Sequence, residues 1–134
     1  MFEKVCFIGL GLIGASLAQA MRDKKLAKSI VAVSRSQSTI DKGINYGLLD
    51  AGFDDAALAV QGSDLVVIAT PVQAVKKIFE QIKPFINDKT IIMDVGSTKG
   101  NIIADASAVF GEDMPKGFVP AHPIAVSYTH LRAH

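Results

Sequence analysis

The sequence predicts an α/β fold with a doubly wound, mostly parallel sheet, and two observations support that prediction. Short apolar runs of strand length recur along the chain and alternate with amphipathic stretches of helical periodicity. The runs are continuously apolar, which is typical of parallel strands that are covered on both faces. Because the crossovers between such strands share one hand, we expect the loops that follow the strands to gather along one edge, where ligands bind.

Length and composition fit one domain with a substantial core. The chain has 134 residues, of which 49% are hydrophobic and 20% are charged. A formal net charge of +1 gives no indication of nucleic acid or an anionic membrane as a partner. No apolar stretch approaches the roughly 18 residues of a membrane span, and the N-terminus leads directly into a strand. The single Cys6 is predicted to be a small buried thiol, which favours a reducing, cytoplasmic location.

The first strand, turn and helix carry a glycine motif. An apolar strand ends at Ile8, and Gly9, Gly11 and Gly14 follow in the spacing G-x-G-x-x-G before an amphipathic helix. Gly9 permits a tight turn, Gly11 lets backbone approach a diphosphate, and Gly14 lets the helix pack close to the strand. Phosphates would bind the N–H groups at the positive end of that helix. The segment predicts a Rossmann-like dinucleotide-binding domain, and a purely structural glycine turn is the alternative. The predicted cofactor-binding residues of this segment are Gly9, Gly11, Leu12, Ile13 and Gly14.

The remaining elements are predicted in chain order from apolar runs and helix signals. Ser38 or Thr39 is expected to cap the second helix, which stops at Gly47. Pro71 suits the first turn of a later helix, and Pro84 ends that helix. The predicted elements after the first helix are a strand at 29–33, a helix ending at 46, a short helix around 54–58, a strand at 65–69, a helix from 71 to about 82, a strand at 90–94, a helix at 101–110 and a strand at 117–120.

The residues after the second strand indicate which cofactor is bound. In nucleotide-binding folds of this type, an acidic residue about 20 positions after the last glycine commonly binds the ribose hydroxyls. Here Ser34, Arg35 and Ser36 occupy that place, and none of them is a carboxylate. An arginine fork beside two hydroxyls suits a ribose 2′-phosphate, so the sequence favours NADP over NAD. A solvated loop arginine is the alternative interpretation of Arg35.

Four motifs in this order resemble the prephenate/arogenate (cyclohexadienyl) dehydrogenase family. The motifs are the glycine turn, Ala-Thr-Pro-Val at 69–72, Asp-Val-Gly-Ser-Thr-Lys-Gly at 94–100 and Ala-His-Pro-Ile-Ala at 121–125. The resemblance implies that residues 1–125 form the NAD- or NADP-binding domain of an enzyme of tyrosine biosynthesis. Members of the family oxidise prephenate or arogenate, and loss of carbon dioxide then gives a hydroxyphenylpyruvate or tyrosine. The resemblance also implies a homodimer for the full-length form.

The same resemblance implies roles for individual residues. His122 matches the family histidine that accepts the proton of the ring hydroxyl as hydride leaves, and Ser97 matches a serine that hydrogen-bonds near that hydroxyl. Thr70 and Pro71 are implied to line the cofactor. Histidine suits this work, because an imidazole gains and loses a proton near neutral pH. The alternatives are a structural loop histidine at His122 and a helix cap at Ser97.

Other polar residues receive no firm role. His130 and His134 are spaced i, i+4 but have no third ligand nearby, so no metal site is predicted. Asp54 and Asp55 are interpreted as a solvated turn. Lys99 is open between a contact with cofactor or substrate and a solvated lysine in the first turn of a helix.

The sequence departs from the family pattern after Ala125. Residues 126–134 lack the family glycine and match nothing further, so we interpret them as a non-native or disordered tail. The family's helical C-terminal domain is absent, and we expect the fragment by itself to catalyse little or nothing. Two alternatives stay open, namely another two-domain nicotinamide enzyme, such as a β-hydroxyacid dehydrogenase or an imine reductase, and a non-catalytic dinucleotide-binding regulatory module. The preference between prephenate and arogenate is also open.

Overall fold

The computed structural model describes residues 1–70, 72–87, 89–95, 109 and 117–120, except for the side chains of residues 12, 72, 73 and 117–120. The elements in chain order are β1 (Phe2–Ile8), α1 (Gly11–Asp23), β2 (Ala27–Val33), α2 (Gln37–Asn45), β3 (Ala51–Phe53), α3 (Ala56–Ala59), β4 (Leu65–Ile68), α4 (Val72–Ile82), β5 (Ile91–Asp94) and β6 (Gly117–Pro120). A short 3-10 helix, Lys83–Phe85, follows α4 directly and contains Pro84.

The six strands lie in one sheet, in the order β3-β2-β1-β4-β5-β6, and every neighbouring pair is parallel. This arrangement confirms the predicted doubly wound α/β fold. From the central strand β1 the chain proceeds to β2 and β3 on one side, and then crosses to β4, β5 and β6 on the other. The direction of the strand order therefore reverses between β1 and β4, and open sheets of this kind bind ligands at such a reversal.

The core consists of two layers, one on each face of the sheet. Successive side chains of a strand point to opposite faces. Val5 and Phe7 therefore pack with residues of α1 and α2, whereas Cys6 and Ile8 pack with residues of α3 and α4. Cys6 is fully buried, as predicted. Burial raises the pKa of the Cys6 thiol to about 12, against a smaller lowering effect of Lys4, so the thiol is protonated at neutral pH.

Two details of the segment between β2 and β4 differ from the sequence prediction. Residues 51–53 form β3, a parallel edge strand, where the poorly patterned sequence led to no predicted strand. The cap of α2 is Ser36 and not Ser38 or Thr39, because Ser36 Oγ accepts a hydrogen bond from Thr39 N at 3.3 Å. The predicted helix at 101–110 lies outside the described residues, apart from Val109, which is helical.

The carboxylate of Asp50, the residue directly before β3, connects α1 to the middle of β2. Asp50 Oδ2 accepts hydrogen bonds from Ile30 N at 2.8 Å and from Arg22 Nη2 at 2.6 Å. Burial raises the pKa of Asp50, but the Ile30 N–H and the bonded, positively charged Arg22 together outweigh that effect. The pKa of Asp50 therefore lies below its ordinary value.

We expect Asp50→Asn to lower the free energy of unfolding by about 1 kcal/mol at neutral pH, because the charged hydrogen bonds are weakened and solvent screens this half-exposed pair. Since the folded-state pKa is depressed, the stabilisation is fully present above the unfolded-state pKa of about 3.9 and is lost as the pH falls through the folded-state pKa. Urea denaturation across this acidic range measures the difference. Glu80→Gln, on the exposed side of α4, is the control. A difference between wild type and Asp50→Asn that does not change with pH would contradict the assignment.

Candidate functional site

The turn between β1 and α1 has the backbone conformation that the glycine motif requires. Gly9 has a φ of +78° and Gly11 a φ of +53°, both in the left-handed region that favours glycine. A Cβ atom on Gly9 would lie 2.9 Å from Ala69 O and 2.9 Å from Thr70 Cγ2. Ala69 N also donates a hydrogen bond to Ile8 O at 2.8 Å. The turn is therefore pressed against the carboxyl end of β4.

Gly11 and Gly14 differ in what surrounds them. A Cβ atom on Gly11 would meet none of the described residues within 4 Å, so open space lies in front of Gly11 in that part of the chain. A Cβ atom on Gly14 would lie 3.4 Å from Ala69 Cβ and 3.7 Å from Phe7 Cδ1. Gly14 thus allows α1 to lie close to the sheet, whereas the absence of a side chain at Gly11 leaves room for a bound ligand.

The start of α1 offers hydrogen-bond donors. Leu10 precedes the helix, no side chain caps it, and its first turn contains no acidic residue. The first backbone N–H groups of a helix have no partner within the helix. Nearby, the buried Thr70 Oγ1 has no hydrogen-bond partner in the part of the chain that the structure describes. Free donors at a positive helix end and an unpaired hydroxyl fit the phosphates of a dinucleotide.

A pocket of about 420 Å³ opens beside this turn, at the carboxyl edge of the sheet. Four of the predicted site residues line it together, and they come from the loops after β1, β2 and β4: Gly9, Ser34, Arg35 and Thr70. Its apolar lining consists of Ile8, Val33, Ala56, Ala74 and Ile78. Sites for small molecules typically have volumes of about 300–1,000 Å³, are mostly apolar and carry a few polar groups. The pocket therefore has the size and lining of a nucleoside site.

The other predicted site residues lie apart from this pocket or outside the part of the chain that the structure describes. Ser36 is not among the lining residues, and its N–H donates to Ser34 Oγ at 3.1 Å while its own Oγ caps α2. Ile13, in the first turn of α1, is 62% exposed. The residues whose side chains lie outside the described part are Leu12, Pro71, Ser97 and His122. The roles of these residues stay predictions.

The pocket also contains polar residues that the sequence analysis did not place there. Asp54 is exposed, as a solvated turn requires, but it lines the pocket, and Asp55 caps α3 by accepting a hydrogen bond from Ala57 N at 2.9 Å. Lys77 and Gln81 lie one helical turn apart on α4 and complete the lining. The available signal was that both residues lie on the same side of Ile78 around the helix, at the border of the buried face of α4.

Metal and membrane chemistry find no support in the described ranges. Within residues 1–70, 72–87, 89–95 and 117–120, no three His, Cys, Asp or Glu residues are grouped so that they could hold a metal ion. No helix within those ranges is both long enough and apolar enough to cross a membrane.

Comparison with known proteins decides the family. Residues 17–129 match the family model described as the nucleotide-binding domain of prephenate dehydrogenase. The chain belongs to this family. It is 31% identical over 129 residues to the prephenate dehydrogenase of Bacillus subtilis, an alignment that covers 96% of this chain and 34% of that protein. The chain thus spans about a third of the length of this curated relative, and it corresponds to the nucleotide-binding portion.

Solved structures agree with the fold. The arogenate dehydrogenase of Synechocystis is 33% identical, with a TM-score of 0.72, and the match covers 87% of this chain and 39% of that chain. A prephenate dehydrogenase of A. aeolicus, crystallised with hydroxyphenyl propionate and NAD+, is 23% identical with a TM-score of 0.76 and covers 90% of this chain and 41% of its own. The second match supports the fold alone. Together these findings confirm the predicted family and its Rossmann-like architecture.

Proposed function

We propose that the chain is the cofactor-binding part of an NADP-dependent dehydrogenase that oxidises prephenate or arogenate with loss of carbon dioxide, in tyrosine biosynthesis. One observation carries this proposal. Gly9, Ser34, Arg35 and Thr70 line a single pocket where the strand order reverses, in a chain of the prephenate dehydrogenase family. Residues brought together from separate loops at this point of the sheet are what dinucleotide binding requires.

In this proposal, the glycine turn and the pocket bind different parts of the cofactor. The start of α1 and the open space at Gly11 suit the diphosphate, and the apolar pocket suits the adenosine end. When bound, the nicotinamide supplies a hydride acceptor. His122 would take the proton of the substrate hydroxyl, and Ser97 would hydrogen-bond beside it. These two roles follow from the resemblance of their motifs to the family.

The residues after β2 support NADP in preference to NAD. Ser34 and Arg35 line the pocket at the position where a carboxylate would bind ribose hydroxyls. Arg35 has no ion pair within the described part of the chain, so its guanidinium is available to an incoming phosphate.

The remaining parts of the proposal concern the whole protein. We place the cofactor domain at residues 1–125 and treat 126–134 as a tail outside it. The curated relatives are about two to three times as long as this chain, which supports a further domain that completes the substrate site. The homodimer follows from the resemblance to the family. The small-molecule substrate is the partner that the family implies. A single, fully buried cysteine supports a cytoplasmic location.

The test is an assay of the longer protein that contains this chain. We expect reduction of the cofactor with prephenate or arogenate, a higher kcat/KM with NADP than with NAD, and little or no activity of residues 1–134 alone. A protein that binds NADP but oxidises neither substrate would contradict the dehydrogenase proposal and favour a non-catalytic module. A higher kcat/KM with NAD would contradict the NADP assignment alone.

A further inference from the structure

We propose that Lys77 is a second cationic ligand of the cofactor's 2′-phosphate and acts together with Arg35. This inference rests on the proposed function, because it takes NADP as the ligand. It adds a specificity-determining residue from α4, an element that the glycine motif and the loop after β2 do not include.

The packing of α4 against the sheet fixes the position of Lys77 on the helix. Val75, Phe79 and Ile82 are fully buried against the sheet, and they fix the rotation of α4 about its axis. That rotation places Lys77 at the border of the buried face, exposed to solvent and lining the same pocket as Arg35. Two cations from distant parts of the chain thus converge on one cavity.

Neither cation is paired within the described residues. In the part of the chain that the structure describes, neither Arg35 nor Lys77 forms a hydrogen bond or an ion pair. Elsewhere in the described part of the chain, Arg22 pairs with Asp50, Lys28 pairs with Glu3, and Lys4 donates to the Gln61 carbonyl. Arg35 and Lys77 belong to separate segments of the chain but line one cavity. The two side chains are therefore suited to a ligand that carries the opposite charge.

The charge of the pocket also favours an anionic ligand. Its lining contains two cations and one carboxylate, Asp54, so one positive charge is left uncompensated. A phosphate monoester carries a charge of about −1.5 to −2 at neutral pH. It can therefore bind both cations while Asp54 remains solvated. NAD lacks this group, and so the contribution of Lys77 should be confined to NADP.

The experiment compares neighbouring lysines of α4 in the full chain. Lys77→Gln is expected to weaken NADP binding about fivefold, the effect of losing one partly solvated charged hydrogen bond, and to leave NAD affinity unchanged. Lys77→Arg should retain most of the NADP affinity, because it keeps the charge. The control is Lys76→Gln, which removes the same charge from an exposed residue of α4 that is not in the pocket lining. Calorimetric titration with NADP and NAD measures all four proteins, and thermal unfolding checks that each is folded.

Each other outcome is informative. Equal weakening of NADP and NAD by Lys77→Gln would place Lys77 at a part common to both cofactors and overturn the inference. Equal weakening of NADP binding by Lys76→Gln and Lys77→Gln would show that only the net charge of the protein matters, and this result would also overturn the inference. If the wild type binds NAD but not NADP, this inference fails and nucleotide binding stands. If the wild type binds neither, the proposed function fails as well.

Discussion

Gly11→Ala is expected to lower the affinity for NADP about tenfold to a hundredfold while the domain stays folded. The Cβ atom of Gly11 would meet no atom of the described residues within 4 Å, so the described core does not resist the change. It would instead project into the space that the diphosphate needs, and an overpacked contact costs about 1–3 kcal/mol. Calorimetric titration measures the affinity, and thermal unfolding measures the stability of the same sample.

A second glycine of the chain provides the matched control. Gly47 has a φ of +76°, and a Cβ atom there would also meet no atom within 4 Å among the residues that the structure describes. Gly47→Ala therefore imposes a similar strain, about 1–2 kcal/mol for an L-residue in the left-handed region, at the end of α2 and away from the pocket. We expect both variants to lose similar stability and only Gly11→Ala to lose affinity. Equal NADP affinities of the two variants would contradict the placement of the diphosphate at this turn.

The comparison is made at Gly11 because the other glycines of the motif have structural contacts. A Cβ atom on Gly9 would lie 2.9 Å from Ala69 O, and Gly14 approaches Ala69 Cβ and Phe7. Substitution at either residue changes the packing of α1 against β1 and β4. A loss of affinity in those variants would not distinguish a cofactor contact from a displaced helix.

The central strands were predictable because burial on both faces leaves a strong pattern. The segments at Ile30–Ala32 and Leu65–Ile68 are continuously apolar and prove to be buried throughout. In such a run, successive side chains pack into the core layers on the two faces of the sheet. The strand therefore does not alternate between apolar and polar residues. Strong local patterns of this kind also located α4, whose end at Ile82 before Pro84 agrees with the prediction.

β3 could not be predicted, because its signal is not in its own sequence. The strand has three residues, Ala51–Phe53, one of which is glycine, and glycine is depleted in strands. Gly52 is required here for packing, since a Cβ atom would collide with the side chain of Ile40 on α2. β3 forms because the edge of β2 would otherwise be unpaired and because α2 packs over β3. Both are tertiary facts that a local pattern does not contain.

The candidate site was predictable where it follows strand ends and not where it uses a helix flank. Ser34, Arg35 and Thr70 could be placed because parallel strands bring their carboxyl ends to one edge. Lys77 and Gln81 depend on the rotation of α4 and on its distance from the loop after β2. The sequence showed which face of α4 is buried, but the depth of the pocket beside that face follows only from the packed structure.

The largest effect on turnover is expected from His122→Asn in the longer protein. The histidine of the Ala-His-Pro-Ile-Ala motif would accept the substrate's hydroxyl proton, and general-base catalysis typically contributes about a hundredfold to ten-thousandfold. Asparagine has a similar size but cannot take up the proton. We therefore expect kcat to fall by about that factor, with the affinity for NADP nearly unchanged, in steady-state assays and calorimetric titrations of both proteins.

The pH profile separates catalysis by His122 from a structural role. If His122 acts as the base, kcat/KM of the wild type rises with pH as the imidazole loses its proton, and His122→Asn removes this rise. If the role of His122 were merely structural, its replacement would lower the rate at every pH and leave the shape of the pH profile intact. The replacement would then also disturb cofactor binding or thermal stability. We expect His122→Asn to preserve both. Unchanged turnover in the variant would remove His122 from the mechanism, and the proton would then need another acceptor at the carboxyl edge of the sheet.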